Sequence, residues 1–556
     1  MSLPLEFSDK LLQAYSAPFK KTAEYMAGQR FFSCGMDVSG LLRSNLRHLE
    51  GQAAVMRSVW SEETGGDKPD RRFAADEWNR NPWYRFLRKS YLNNARTLSE
   101  ITETIGLEED DKSRLRFLVG QYIESLSPAN FFGTNPEAIQ LALESRGGSL
   151  VSGLANYVED ARRGRIAITD ESAFEVGRNV ATSEGAVVFE CELMQLIQYK
   201  PLTDKVASRP LVIVPPCINK FYILDLQPEN SFVRFACEQG HTVFLVSWRN
   251  PQADMSETTW DDYVEQGVLK ALEVSQAISG AAQVNALGWC VGGTLLTSAL
   301  GVQQARGKKT VASMTLLTTM LDFSEPGELG VFIDEPTVAQ REQTIGRGGI
   351  YPGKELAFVF QMLRPNDLIW PYFVGNYLKG QAPGAFDLLY WNADATNLAG
   401  PMYAWYLRNM YLENKLREPG QLTVCGHPMD LGRINVPNYI LATKDDHIVP
   451  WQSAYRSIQL LGGKSEFVLG ESGHIAGVIN PASKQKRGYW CAGEQCDDAD
   501  GWLASATSTP GSWWVHWAAW LNRYAGKQVA APSRLGKDTF EPIEPAPGRY
   551  VSVRAD

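Results

Sequence analysis

The fold is decided by the stretch Asn285-Ala286-Leu287-Gly288-Trp289-Cys290-Val291-Gly292-Gly293-Thr294-Leu295-Leu296. A short apolar strand runs into Gly-x-Cys-x-Gly-Gly, and a helix of apolar periodicity leaves it. This is the layout of a nucleophile elbow, Gly-x-Ser-x-Gly in form, with cysteine in the serine position. The nucleophile of an elbow sits on a strained turn, so Gly288 and Gly292 fall where a Cβ would collide with a neighbouring strand or helix. The turn lifts the sulfur above the sheet edge and aims the N-terminus of the next helix at it, which favours a thiolate. A buried cysteine in a Gly-rich turn would show the same short motif. The rest of the chain has to separate the two readings.

Outward from the elbow, short β-rich runs alternate with helical segments from about residue 185. Val187–Cys191 and Met194–Tyr199 read as a hairpin, Leu211–Val214 and Thr242–Val246 as buried strands. Gln283–Leu287 leads into the elbow. Val311–Thr319, Pro437–Thr443 and Ser465–Gly470 continue the series, with helices at Glu257–Ile278 and Thr294–Arg306 between strands. Such alternation predicts a mostly parallel sheet covered on both faces.

A thiol nucleophile needs a base, and the base needs an orienting acid. The chain has six histidines, and two follow expected strands. His447 lies in Lys444-Asp445-Asp446-His447-Ile448-Val449-Pro450-Trp451, directly after the strand ending at Thr443. His474 lies in Gly470-Glu471-Ser472-Gly473-His474, directly after the last strand. In an α/β-hydrolase fold the order is nucleophile, acid, histidine, with acid and base on loops at the carboxyl ends of late strands. Cys290, Asp446 and His474 meet that order and those places. A loop Asp alone is usually a turn former, and a single His is usually structural; three residue types at three dictated places leave little room for accident. Spacing leaves Asp445 as a competitor for the acid, and His447 as a second candidate base or a hydrogen-bond partner of the site. The oxyanion hole is expected from the Val291 N–H and an N–H in Val214-Pro215-Pro216-Cys217-Ile218-Asn219-Lys220. Proline has no N–H, so the second donor is Cys217 or Ile218.

Residues 1–180 read as a mainly helical N-terminal domain and 181–556 as the catalytic domain. The first helix, Leu11 to Met26, follows the possible cap Ser8, and Ser61–Asp70 is a charged loop. Aromatic-rich helices span Trp78–Leu92 and Lys112–Ser127, the latter stopped by Pro128. Their apolar faces suit packing against a neighbouring domain better than an external apolar surface. An insertion, 322–433, separates two strands by far more than a loop and is rich in aromatics, including Trp370, Trp405, Tyr406 and Tyr411. A cap over the site and a plain structural subdomain fit it equally.

Composition narrows the functional classes. The chain has 556 residues, 16 Trp and a formal charge of −9, with a pI near 5.5, which argues against nucleic acid as a partner. Eight scattered cysteines lack a disulfide-framework spacing, so reduced thiols and a cytoplasmic location are expected. No signal peptide and no transmembrane segment are visible. Gly348–Lys354 imitates half of a P-loop, but Glu355 replaces the metal-binding Ser/Thr and Pro352 removes an N–H. Cys491 and Cys496 have no second pair, so no metal site is expected, and no cofactor.

With these residues in hand, the chain resembles the polyhydroxyalkanoate synthases. The resemblance is carried by Gly288-Trp289-Cys290-Val291-Gly292-Gly293, by Pro215-Pro216-Cys217-Ile218-Asn219-Lys220 with Asp225-Leu226-Gln227-Pro228-Glu229-Asn230, by Asp446–Trp451 and by Ser472–Pro481. Ser127–Phe131 and Gly511-Ser512-Trp513-Trp514 also look like the family, and the form of the elbow looks like class I, the short-chain type. The resemblance implies Asp446 as the acid, since the family's acid directly precedes the His of this run. It also implies a 3-hydroxyacyl-CoA substrate, a growing polyester chain tethered to Cys290, a homodimer, and attachment to polyester granules. A cysteine-type esterase or thioesterase would share every triad residue, and a non-catalytic granule-surface protein would need none of them.

Overall fold

Leu211-Val212-Ile213-Val214 is apolar at every position, the composition of a strand buried on both faces, and it lies at the centre of the sheet. The computed structural model describes residues 35–58 and 70–555. The expected helix at Leu11–Met26 and most of the loop at Ser61–Asp70 lie outside the described residues. Eleven strands form one sheet: β1 (Gly185–Glu190), β2 (Met194–Tyr199), β3 (Leu211–Val214), β4 (Val243–Trp248), β5 (Val284–Trp289), β6 (Val311–Leu317), β7 (Asn438–Thr443), β8 (Ser465–Gly470), β9 (Gly488–Cys491), β10 (Thr507–Pro510) and β11 (Glu544–Pro545). Their spatial order is β10-β9-β8-β7-β6-β5-β3-β4-β2-β1-β11. Strands β3 to β8 pair in parallel, and the flanking strands pair antiparallel. This is the α/β-hydrolase fold, with the interchange of β3 and β4 that brings β3 beside the elbow strand β5.

Alternate residues of β3 feed opposite faces. Val212 and Val214 join the core layer that holds Val291, Leu295 and Leu296, whereas Leu211 and Ile213 join the layer that holds Trp513, Trp514 and Trp517. Strand β6 stops at Leu317, because Thr318 turns to φ 38°. The expected helix after β4 is helical from Trp260 to Ser279, with a π-helical turn at Tyr263–Leu269.

The chain divides into two units, one running up to Asp170 plus Phe358–Ala385, the other Glu171–Ala357 plus Phe386 onward. The first is mainly helical: α1 (Val38–Ser58), α2 (Pro82–Glu103), α3 (Glu109–Ser125) and α4 (Gly148–Arg163) are its longest helices. Asn81 caps α2 by accepting from the Trp83 N–H, ahead of Pro82 in the first turn, where a missing N–H costs nothing. Gln121 donates to the Met362 carbonyl at 2.8 Å, and Tyr377 donates to Asp160 at 2.8 Å. The stretch 322–433 is therefore shared: Phe358–Ala385 packs with the N-terminal helices, and the remainder with the sheet. Within the second unit Trp260 stacks on Trp405 and Tyr406, each at 5.2 Å between centroids.

Candidate active site

The elbow is built from glycine on both sides of the sulfur. Strand β5 ends at Trp289, Cys290 takes φ 52° and ψ −127°, and α5 (Val291–Ala305) begins at the next residue. A Cβ on Gly288 would lie 2.4 Å from the Gly293 Cα, and one on Gly292 would lie 2.3 Å from the Val214 carbonyl oxygen. Both distances are closer than real Cβ contacts, so strand, turn and helix close up only without side chains there. The Cys290 N–H donates to the Leu317 carbonyl at 2.9 Å, and the Trp289 indole donates to Thr318 Oγ1 at 2.9 Å. These bonds fasten the turn to the end of β6 and hold Cys290 in a conformation that a non-glycine residue rarely adopts.

Asp446 and His474 follow the ends of β7 and β8. Asp446 is buried, whereas its neighbour Asp445 is exposed, and Asp446 makes every acid contact of the site. Its Oδ1 accepts from the Ile448 and Val449 N–H groups, both at 2.9 Å, and its Oδ2 accepts from Thr443 at 3.3 Å and from His474 Nδ1 at 2.7 Å. The carboxylate can only accept, so Nδ1 carries a proton, and the opposite edge of the ring is left for the sulfur. Cys290 lies close enough to His474 for the two to interact electrostatically. Burial works against a charge on its ring, but the Asp446 carboxylate and Cys290 outweigh it, and the pKa is pushed up to about 10.

The His474 loop is held from below. The Asp445 N–H donates to the Ser472 carbonyl at 3.0 Å, joining the acid and base loops. In α6 (Trp513–Asn522), the Trp513 and Trp514 indoles donate to the Gly477 and Val478 carbonyls at 3.0 and 2.9 Å. Both rings are almost fully buried. Each aromatic covers ~200 Å² and so contributes on the order of 5 kcal/mol of burial, well above the ~1 kcal/mol of its hydrogen bond. The Gly511-Ser512-Trp513-Trp514 run thus acts as a floor for the histidine.

The other expected residues fall around this centre. Val291 opens α5, and Cys217 and Ile218 lie on the loop after β3, whose first carbonyls touch Gly292. Cys217 is buried, which pushes its thiol up to about 12, and Cys290 adds to that rise. His447 is half-buried on the acid loop, with its carbonyl accepting from the Glu328 N–H at 3.2 Å. Two tyrosines of the insertion, Tyr406 and Tyr411, lie close enough to Cys290 to sense its charge. Burial, first of all, raises the phenols of Tyr406 and Tyr411, and Cys290 is among the charges each of them senses. Nothing in the spacing of an insertion says which of its tyrosines senses Cys290. The P-loop imitation is occupied internally, since the Gly353 N–H donates to Asn397 Oδ1 at 2.8 Å.

The arrangement suits acyl transfer through a thioester. Among known proteins, the chain is 56% identical over 498 residues to the poly(3-hydroxyalkanoate) polymerase subunit PhaC of Cupriavidus necator, covering 89% of this chain and 85% of that one. The chain belongs to the poly(3-hydroxyalkanoate) polymerase family. The family described as "Poly-beta-hydroxybutyrate polymerase (PhaC) N-terminus" matches residues 69–236, and "alpha/beta hydrolase fold" matches 210–481. The polymerase subunit of Rhizobium meliloti is 40% identical over 529 residues, covering 92% of this chain and 86% of its own. The poly(3-hydroxyalkanoate) polymerase of Methylorubrum extorquens is 42% identical over 528 residues, covering 94% and 86%. Members of this polymerase family are acyl-transferring enzymes, and this chain is one of them.

Proposed function

We propose that the chain polymerises short 3-hydroxyacyl groups, such as 3-hydroxybutyryl, from coenzyme A thioesters, with Cys290 as the covalent tether. The observation that carries this reading is the buried His474, bonded to Asp446 at 2.7 Å on one edge of its ring and close enough to Cys290 to sense it, with Cys290 on the strained turn between β5 and α5. The proton of the Cys290 thiol resides on His474, which its raised pKa favours, and the thiolate attacks the thioester carbon. The resulting oxyanion lies toward the N–H of Val291 and that of Cys217 or Ile218. The bond to coenzyme A sulfur breaks, the leaving thiolate takes the proton from His474, and the acyl group remains on Cys290. His474 then takes the proton from the 3-hydroxyl of a second acyl group. That oxygen attacks the Cys290 thioester, an ester bond forms, and the cysteine thiolate is regenerated. Thioester exchange is nearly balanced in energy, while the acyl enzyme stays reactive toward an alcohol. Water must be kept out for polymer to form, and the half-buried aromatics Tyr406 and Tyr411, whose phenols sense Cys290, are suited to exclude it.

We infer also, from the family, a homodimer working at the surface of cytoplasmic polyester granules. The free state of all seven described cysteines accords with a reducing compartment. Incubation with 3-hydroxybutyryl-CoA tests the reading. Release of coenzyme A together with insoluble polyester supports it; release with free 3-hydroxybutyrate only would make the chain a thioesterase.

A further inference from the structure

Lys220 is 3% exposed, a position where a cation costs several kcal/mol in lost hydration unless it is partnered. Its ammonium donates to the carbonyl of Val553, at the far end of the chain. Asp394, whose charge faces Lys220, accepts from Tyr222 at 2.9 Å through Oδ2, while its buried Oδ1 has no hydrogen-bond partner. Arg554, next to Val553, pairs with Glu171 at 3.1 Å and reaches the Tyr390 hydroxyl at 3.3 Å. The Lys220 carbonyl accepts from the Trp391 indole at 2.7 Å, and Asn219 bridges to Ala395. At the other end of the same loop, the Pro215 carbonyl accepts from the Trp248 indole at 2.9 Å and packs on Gly292 of the elbow helix. The two ends are therefore fastened independently, and Cys217 and Ile218 lie between them.

The geometry points to Lys220 and the Val553–Arg554 segment as positioning residues that set the loop carrying the second oxyanion donor. This rests on the reading of Cys217 or Ile218 as that donor. Such a donor loses most of its effect when displaced by about 0.5 Å, and removing one outright costs ~10²- to 10³-fold in rate. A staple that only held the tail would leave the chemical step untouched.

Two variants test this: Lys220→Met in the full-length chain, and a chain ending at Ser552 that keeps Lys220 but removes its acceptor. Coenzyme A release from 3-hydroxybutyryl-CoA gives kcat and KM, iodoacetamide labelling of Cys290 reports the nucleophile and its base, and circular dichroism reports folding. Each folded variant is expected to lose at least about tenfold in kcat, with KM and the labelling rate within about twofold. The doubly altered chain should lose no more than the truncation alone. Unchanged kcat in the folded truncation, or labelling that falls in parallel with kcat, overturns the inference. An unaltered chain that releases no coenzyme A sinks the proposed function instead, so the two failures are distinguishable.

Discussion

Cys290, His474 and Asp446 each answer to a different experiment. Cys290→Ala should leave the fold intact and abolish coenzyme A release, measured with 3-hydroxybutyryl-CoA. Cys290→Ser should also fold and lose most activity, because a serine hydroxyl is far harder to deprotonate than a thiol. His474→Ala should slow iodoacetamide labelling of Cys290 at pH 7 about a hundredfold, the low end of what a general base supplies. Asp446→Asn has a pH signature. The His474 pKa is raised to about 10 from an ordinary value near 6.5, so its pairing with Asp446 stabilises the folded chain fully below pH ~6.5. That contribution declines above pH ~6.5 and is gone above pH ~10. Urea unfolding should show a larger loss for Asp446→Asn at pH 6 than at pH 10.5; an equal loss at both would mean that the histidine carries no charge in the folded site.

At the scale of elements, the tightest junction is where α5 leaves the sheet. Gly292→Ala would press a methyl to 2.3 Å from a backbone oxygen of β3, which cannot rotate away. The expected cost is ~2–3 kcal/mol or failure to fold, read by urea titration. The same junction explains how much was legible in sequence. Strands β3 to β8 announce themselves as apolar runs because both faces are buried, and the triad follows from their chain order. Strands β10 and β11 do not, for the opposite reason. Thr507-Ser508-Thr509-Pro510 and Glu544-Pro545 are held by backbone pairing at sheet margins and carry little hydrophobic pattern. Tyr406 and Tyr411 were visible as aromatics but not as neighbours of Cys290, since only the folding of the insertion brings them there. Asp446 was separable from Asp445 by family likeness alone until burial distinguished the two carboxylates.

Over the whole molecule, chain ends and distant segments are used to finish what local sequence leaves open. Strand β11 lies along β1 and covers the margin of the large sheet, where unpaired N–H and C=O groups would otherwise invite another chain. A protein ending before Lys537 should therefore stay folded at its centre but self-associate with rising concentration, as followed by light scattering. Sharing of residues 322–433 between the two units is likewise a long-range outcome: Phe358–Ala385 is held by Gln121, Asn156 and Asp160, hundreds of positions from where periodicity could register it.

The φ of 52° and ψ of −127° at Cys290 have a consequence for how such a chain is inherited. That conformation is comfortable only for glycine, so Cys290→Gly should melt higher than Cys290→Ala, and scanning calorimetry of the two would show it. Selection for heat resistance alone would then drift position 290 toward glycine and extinguish the enzyme while improving the scaffold. The cysteine persists against that slope only as long as its sulfur is used, which makes residue 290 a record of continued function in any descendant of this sequence.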